Sequence, residues 1–131
     1  MIGLDTNVIV RYVMQDDARQ SPKATRLIES LTSDDAGFIP LVALVEFASV
    51  LASCYALSRE QVAQAIDGVL RTKEFAVDSA ELALQALRVY RAGSADFADC
   101  LIERRAANAG CDRTMTFDTA AARTAGMTLI A

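Results

Sequence analysis

Five carboxylates in this chain stand where they can do chemistry: Asp5 in IGLDTNVIV, Glu46 in LVALVEFASV, Asp96 and Asp99 in SADFADCLI, and Asp118 in TMTFDTAA. The sequence contains no histidine. That excludes a Ser-His-Asp triad, a histidine-pair ribonuclease mechanism and a histidine-liganded zinc site. Carboxylate chemistry remains, most naturally with a hard divalent cation bound through oxygen.

The positions of the acids have both a structural and a chemical reading. Asp5, Asp96 and Asp118 each fall where a strand or loop gives way to a helix, and Asp is a favoured N-cap at such points. Parallel sheets place their ligand sites outside the carboxyl ends of the strands, so the strands before Asp5 and Asp118 are expected to point to one rim. Cap and site would then be the same residues. Glu46 lies inside an apolar helix near Val42, Ala43, Ser49 and Val50. A carboxylate there is costly unless it faces water, pairs or binds a cation. The plainer reading is an exposed Glu on the one wet stripe of that helix.

Asp96 and Asp99, three apart, share a helix face and repel each other unless a cation lies between them. Alternatively they are two solvated acids of a first turn, favoured by the helix dipole. Glu103, one turn further, is expected at the surface beside solvated Arg104 and Arg105. Thr6, Asn7 and Thr116 supply hydroxyl and amide groups suited to holding carboxylates or water in position, or serve as ordinary turn and cap residues. Arg11, Arg88, Arg91, Arg104 and Arg105 belong on solvated faces unless they meet phosphates.

These residues must be positioned by short apolar runs alternating with longer helical ones, the pattern of βαβ units around a parallel sheet. Ile2 to Leu4 reads as a strand, followed by a helix from Asn7 to Met14. Ser21 and Pro22 signal an N-cap and first-turn proline for a helix reaching Leu31. Phe38-Ile39 is a brief strand before an apolar helix from Val42 to Tyr55. Ser58 with Gln61 makes a capping box for a helix through Thr72. Phe75 to Val77 is a third strand, and Ser79 caps a helix to Arg91. Ser94 or Asp96 opens a helix that ends at Gly110. Arg113 to Thr116 is a strand, Asp118 starts a short helix stopping near Gly126, and Thr128 to Ile130 is the last strand. The sum is a three-layer α/β fold with a central parallel sheet and helices on both faces.

A chain of 131 residues fits one domain, 1–131, burying roughly two thirds of its unfolded surface. Its 53% hydrophobic content and positive mean hydropathy suggest that some apolar surface is covered by a second subunit. A net charge of −4 argues against nucleic-acid binding by a blanket of cations. A divalent cation among the acids would halve that charge, leaving arginines elsewhere to meet phosphates. Cys54, Cys100 and Cys111 are odd in number and lack C-x-x-C spacing, so they are expected to be unpaired, small core hydrophobes in a reducing compartment. The N-terminus lacks a signal-peptide pattern. Pro40 and Glu46 make the apolar stretch from Ile39 to Leu57 a buried helix rather than a membrane span.

The opening LDTNVIVRY, the Glu in an apolar helix after FIP, the segment DFADCLIERRAANAGC and the closing TMTFD resemble the PIN-domain nucleases, among them the VapC toxins of bacterial toxin-antitoxin pairs. The resemblance spans nearly the whole chain. It implies a PIN-like fold with acids at the carboxyl edge of the sheet binding Mg²⁺ or Mn²⁺. By matching motifs, Asp5, Glu46, Asp99 and Asp118 are its four catalytic acids and Asp96 an additional acid. The D-F-A-D segment offers both Asp96 and Asp99 for one position, of which Asp99 is favoured. Thr116 matches the hydroxyl before the last acid, and Asn7 the amide after the first.

The resemblance further implies a metal-dependent endoribonuclease that hydrolyses RNA phosphodiester bonds, acting as a toxin. It implies a homodimer, a cognate VapB-like antitoxin and a bacterial cytoplasm. Two other readings compete. One is a PIN-like RNA- or protein-binding module without chemistry, although no acid is missing. The other is an aspartate-nucleophile phosphatase of the haloacid-dehalogenase type, in which a second Asp would stand where this chain has Asn7.

Overall fold

The computed structural model describes residues Met1–Ala131. Seven helices, mostly in consecutive pairs, separate five short strands, and every strand pairing is parallel. The α/β class expected from the sequence is therefore the class observed. The chain packs as two compact units, Met1–Ala80 and Glu81–Ala131.

The first unit holds β1 (Ile2–Gly3), α1 (Thr6–Met14), α2 (Gln20–Glu29), β2 (Gly37–Ile39), α3 (Leu41–Ser53), α4 (Arg59–Arg71) and β3 (Phe75–Val77). Its strands lie in the order β1-β2-β3, with Gly3 opposite Phe38 and Ile39 opposite Val77. Each parallel neighbour is reached through a pair of helices, since a parallel pairing needs a crossover that a tight turn cannot supply. Ile9, Ile39, Leu44, Phe47, Leu51 and Ile66 are fully buried and form the core of this unit. Gly37 packs closely: a Cβ there would approach Leu4 Cδ1 to 2.6 Å and make the Leu4 and Leu31 side chains shift.

Local signals explain most of the boundaries. Ser58 and Gln61 form the expected capping box on α4, each side chain bonding the other's backbone N–H. Leu41, at the start of α3, donates its backbone N–H to Asp78 Oδ2 at 3.3 Å. In one place the sequence misleads. Ser21 does not cap α2 but lies inside it, accepting from the Asp17 backbone N–H, while Asp17 Oδ1 takes the N–H groups of Arg19 and Gln20 at 3.0 and 2.7 Å. Two N–H bonds to a carboxylate outcompete one to a hydroxyl, so the helix starts earlier than Ser21-Pro22 suggests. The same two bonds lower the Asp17 pKa.

The second unit holds most of α5 (Ala80–Ala92), then α6 (Phe97–Asn108), β4 (Met115–Thr116), α7 (Thr119–Thr124) and β5 (Thr128–Leu129). The strands β4 and β5 pair with Met115 opposite Thr128. Leu82, Ala86, Leu87, Cys100, Leu101 and Ala121 are buried, and Tyr90 meets Phe97 edge-on with ring centroids 6.1 Å apart. Thr124 Oγ1 accepts the backbone N–H groups of Ser94 and Ala95 at 3.0 and 3.1 Å, tying the loop before α6 to α7.

Two expectations about burial are corrected. Glu103 is not a surface acid: it is 8% exposed and held by Arg104 through Nε to Oε1 at 2.6 Å and Nη2 to Oε2 at 3.1 Å. A fork-shaped guanidinium that satisfies both oxygens makes that burial tolerable. Of the three unpaired cysteines only Cys100 is buried; Cys54 and Cys111 are exposed rather than core residues, because each lies just beyond a helix end. The α3 helix spans 13 residues, and no helix is long and apolar enough to cross a membrane.

Candidate active site

In the first unit two of the candidate acids are joined through one threonine. Asp5 is extended at the N-cap of α1, and its Oδ1 accepts the Thr6 backbone N–H at 2.8 Å. The Thr6 hydroxyl, on a side chain only 7% exposed overall, donates to Glu46 Oε1 at 3.2 Å. Asp5 and Glu46 are themselves exposed. Glu46 occupies the open stripe of α3 with Val42 and Ser49, while Ala43, Leu44, Phe47 and Ala48 are buried. Exposure removes the solvation penalty that an apolar helix would otherwise impose on a carboxylate.

Asn7, next along α1, is exposed. Arg11 is half-buried and engaged within the protein: its Nε donates to Gln20 Oε1 at 2.7 Å, its Nη1 to the Tyr55 hydroxyl at 3.2 Å, and Asp16 lies 3.7 Å away. Burial and the neighbouring Asp16 raise the Tyr55 pKa. Sequence inspection did not single out Tyr55, because its contact with Arg11 spans 44 residues of chain.

In the second unit three acids gather electrostatically. Asp96 is the N-cap of α6, and its Oδ1 accepts the Asp99 backbone N–H at 2.8 Å. Asp118 is the N-cap of α7, accepting the Ala121 backbone N–H at 3.0 Å, while its own N–H is held by Thr116 Oγ1 at 3.0 Å. Asp99 is half-buried, and its pKa is raised first by burial and then by the negative charges of Asp96 and Asp118. A carboxylate made reluctant to ionise by like charges is what a cation or a proton would relieve. Arg88 and Arg91 are exposed on α5.

The donor set is oxygen-only and anionic, suited to Mg²⁺ or Mn²⁺ and unsuited to soft-metal chemistry. Asp96 and Asp118 bearing together on Asp99 fit a divalent cation in charge. As arranged, no three acidic or thiol side chains form a ready ion-binding group.

No curated protein matches the chain. A scan against protein-family models matches the PIN domain over residues 2–127, nearly the full length and across both units. PIN domains are typically nucleases and generally bind a divalent metal. On that match the chain belongs to the PIN-domain family.

Proposed function

We propose that this protein is a Mg²⁺- or Mn²⁺-dependent endoribonuclease and the toxin of a bacterial toxin-antitoxin pair, its two units acting as one nuclease domain. The observation that carries the reading is the PIN-domain match over residues 2–127, joined by a half-buried Asp99 whose pKa is raised first by its burial and then by the charges of Asp96 and Asp118. Asp5, Glu46, Asp99 and Asp118 are the acids assigned to catalysis, with Asp96 beside them. These acids would hold the divalent cation, which when bound would supply positive charge to offset the negative charge developing on the phosphodiester.

The protein's own groups do the positioning. The carboxylates orient the attacking water and take up its proton, a role suited to Asp99 because burial and then its acidic neighbours raise its proton affinity. Thr6 steers Glu46 through its hydroxyl, and Thr116 fixes the Asp118 backbone. The exposed Arg88 and Arg91 are assigned to the RNA backbone. A homodimer, a VapB-like antitoxin and a cytoplasmic setting complete the proposal.

The test is cleavage of a mixed RNA substrate by purified protein with Mg²⁺ or Mn²⁺, together with growth of bacteria expressing it alone. Metal-dependent internal cleavage and growth arrest, both lost in Asp99→Asn, are expected. RNA binding without cleavage under any divalent cation would instead support the binding-module reading.

A further inference from the structure

A pocket of about 270 Å³ opens between α1 and α2 in the first unit. Its apolar side consists of Val8, Ala24 and Leu27, and its polar side of Asn7 and Gln20 with two cations, Arg11 and Lys23. Lys23 is one of only two lysines in the chain, is exposed, and has no salt-bridge partner. Arg11 differs: Gln20 and Tyr55 hold its guanidinium in place. Leu27 keeps an apolar side chain 38% exposed at this rim.

We infer that this pocket seats one nucleotide of the RNA strand beside the scissile phosphate, with Lys23 and Arg11 meeting a backbone phosphate and the Val8, Ala24 and Leu27 surface covering the base or ribose. The inference rests on the nuclease reading above and extends it to a substrate subsite. Three observations support RNA as the occupant. The pocket combines an apolar wall with one unpaired cation, Lys23, beside an Arg11 that Asp16 already partly neutralises, which suits a ligand with a flat apolar part and an anionic part. Its volume matches a single small ligand rather than the long apolar stripe that a partner helix presents. Asn7 and Val8 in its wall belong to the first turn of α1, the turn that Asp5 caps, so the pocket opens at the same end of the helix as the Asp5 carboxylate.

The charge around it agrees. A second pocket shares Gln20 and Lys23 and adds Arg19 and Asp17. The acids nearby are Asp17, kept anionic by the backbone N–H groups of Gln20 and Arg19, and Asp16, which leans on Arg11. Arg11, Arg19 and Lys23 against Asp16 and Asp17 leave a local balance of one positive charge in a chain of net charge −4.

The experiment measures binding of a labelled single-stranded RNA by fluorescence anisotropy, in Mg²⁺, over a range of salt. The background is Asp99→Asn, and the variants added to it are Lys23→Gln and Leu27→Gln. Both positions are exposed, so both variants keep the fold, checked by circular dichroism. Lys23→Gln is expected to weaken binding several-fold and to flatten the dependence of log Kd on log salt by about 0.7, the value for one single-strand phosphate contact. Leu27→Gln is expected to weaken binding several-fold with the salt slope unchanged. Any other pattern overturns the inference, including RNA affinity left at the background value by either variant, the result expected if the pocket serves a protein helix. Cleavage by the parent protein is scored separately. An active parent with an unaffected Lys23→Gln sinks the subsite alone, whereas a parent inactive with every divalent cation sinks the nuclease reading.

Discussion

Thr6 joins Asp5 to Glu46 by giving its backbone N–H to one carboxylate and its hydroxyl to the other. Two acids 41 positions apart in the chain are thus set by a single buried side chain. The backbone bond survives any substitution that keeps the N–H, but the hydroxyl bond does not.

Thr6→Val should therefore separate the two functions of this residue. It keeps the branched shape and the Asp5 cap while freeing Glu46. Loss of one such hydrogen bond costs about 1 kcal/mol of stability, and loss of a group that orients a catalytic carboxylate costs about 10–100-fold in activity. Thermal unfolding and RNA cleavage measured on the same preparation check this. Activity equal to the parent's would show that Glu46 needs no positioning.

Asp99→Asn should stabilise the metal-free protein while abolishing cleavage. The Asp99 pKa is raised in the folded state, so its contribution to stability is fully present below the ordinary value of 3.8 and is lost as pH rises through the raised folded value. Above that, the ionised group is held half-buried, away from part of its water, and faces Asp96 and Asp118. The variant's advantage in Tm over the parent should consequently be larger at pH 7 than at pH 3, in samples stripped of metal. An advantage independent of pH would contradict the raised Asp99 pKa.

Mg²⁺ or Mn²⁺ should raise the Tm of the parent and do so less for Asp99→Asn, because the folded acids bind the ion and the unfolded chain does not hold them together. EDTA should stop cleavage and Mn²⁺ should restore it. A parent whose Tm ignores millimolar cation would mark these acids as ordinary solvated caps.

The two acids of D-F-A-D should differ. Asn caps helices about as well as Asp, so Asp96→Asn keeps the start of α6, and Asp96 is the more exposed of the pair. Asp99 lies between two other carboxylates in charge. At equal metal concentration, Asp99→Asn should cost far more cleavage than Asp96→Asn. The reverse order would transfer the principal role to Asp96.

Much of this was legible because the signals are local. The strand Phe75–Val77 and the Ser58–Gln61 box match the sequence reading directly, as do the helix starts at Asp96 and Asp118. Misreadings came where a competing partner decided the outcome. Asp17 displaced Ser21 at the start of α2, and Arg104 drew its neighbour Glu103 out of water. The bond from Thr6 to Glu46 and that from Arg11 to Tyr55 depend on how distant helices meet, which residue spacing alone does not encode. The exposure of Cys54 and Cys111 likewise depends on where α3 and α6 stop.

Three of the five candidate acids, Asp5, Asp96 and Asp118, are also the residues that begin helices. Asn performs the capping role about as well as Asp, and their codons differ by one base. A population carrying this gene can therefore silence the chemistry in a single mutational step without losing a well-folded product. Selection against an active protein would be expected to leave intact but inert descendants, recognisable by Asn at these helix starts rather than by truncation or loss of the core.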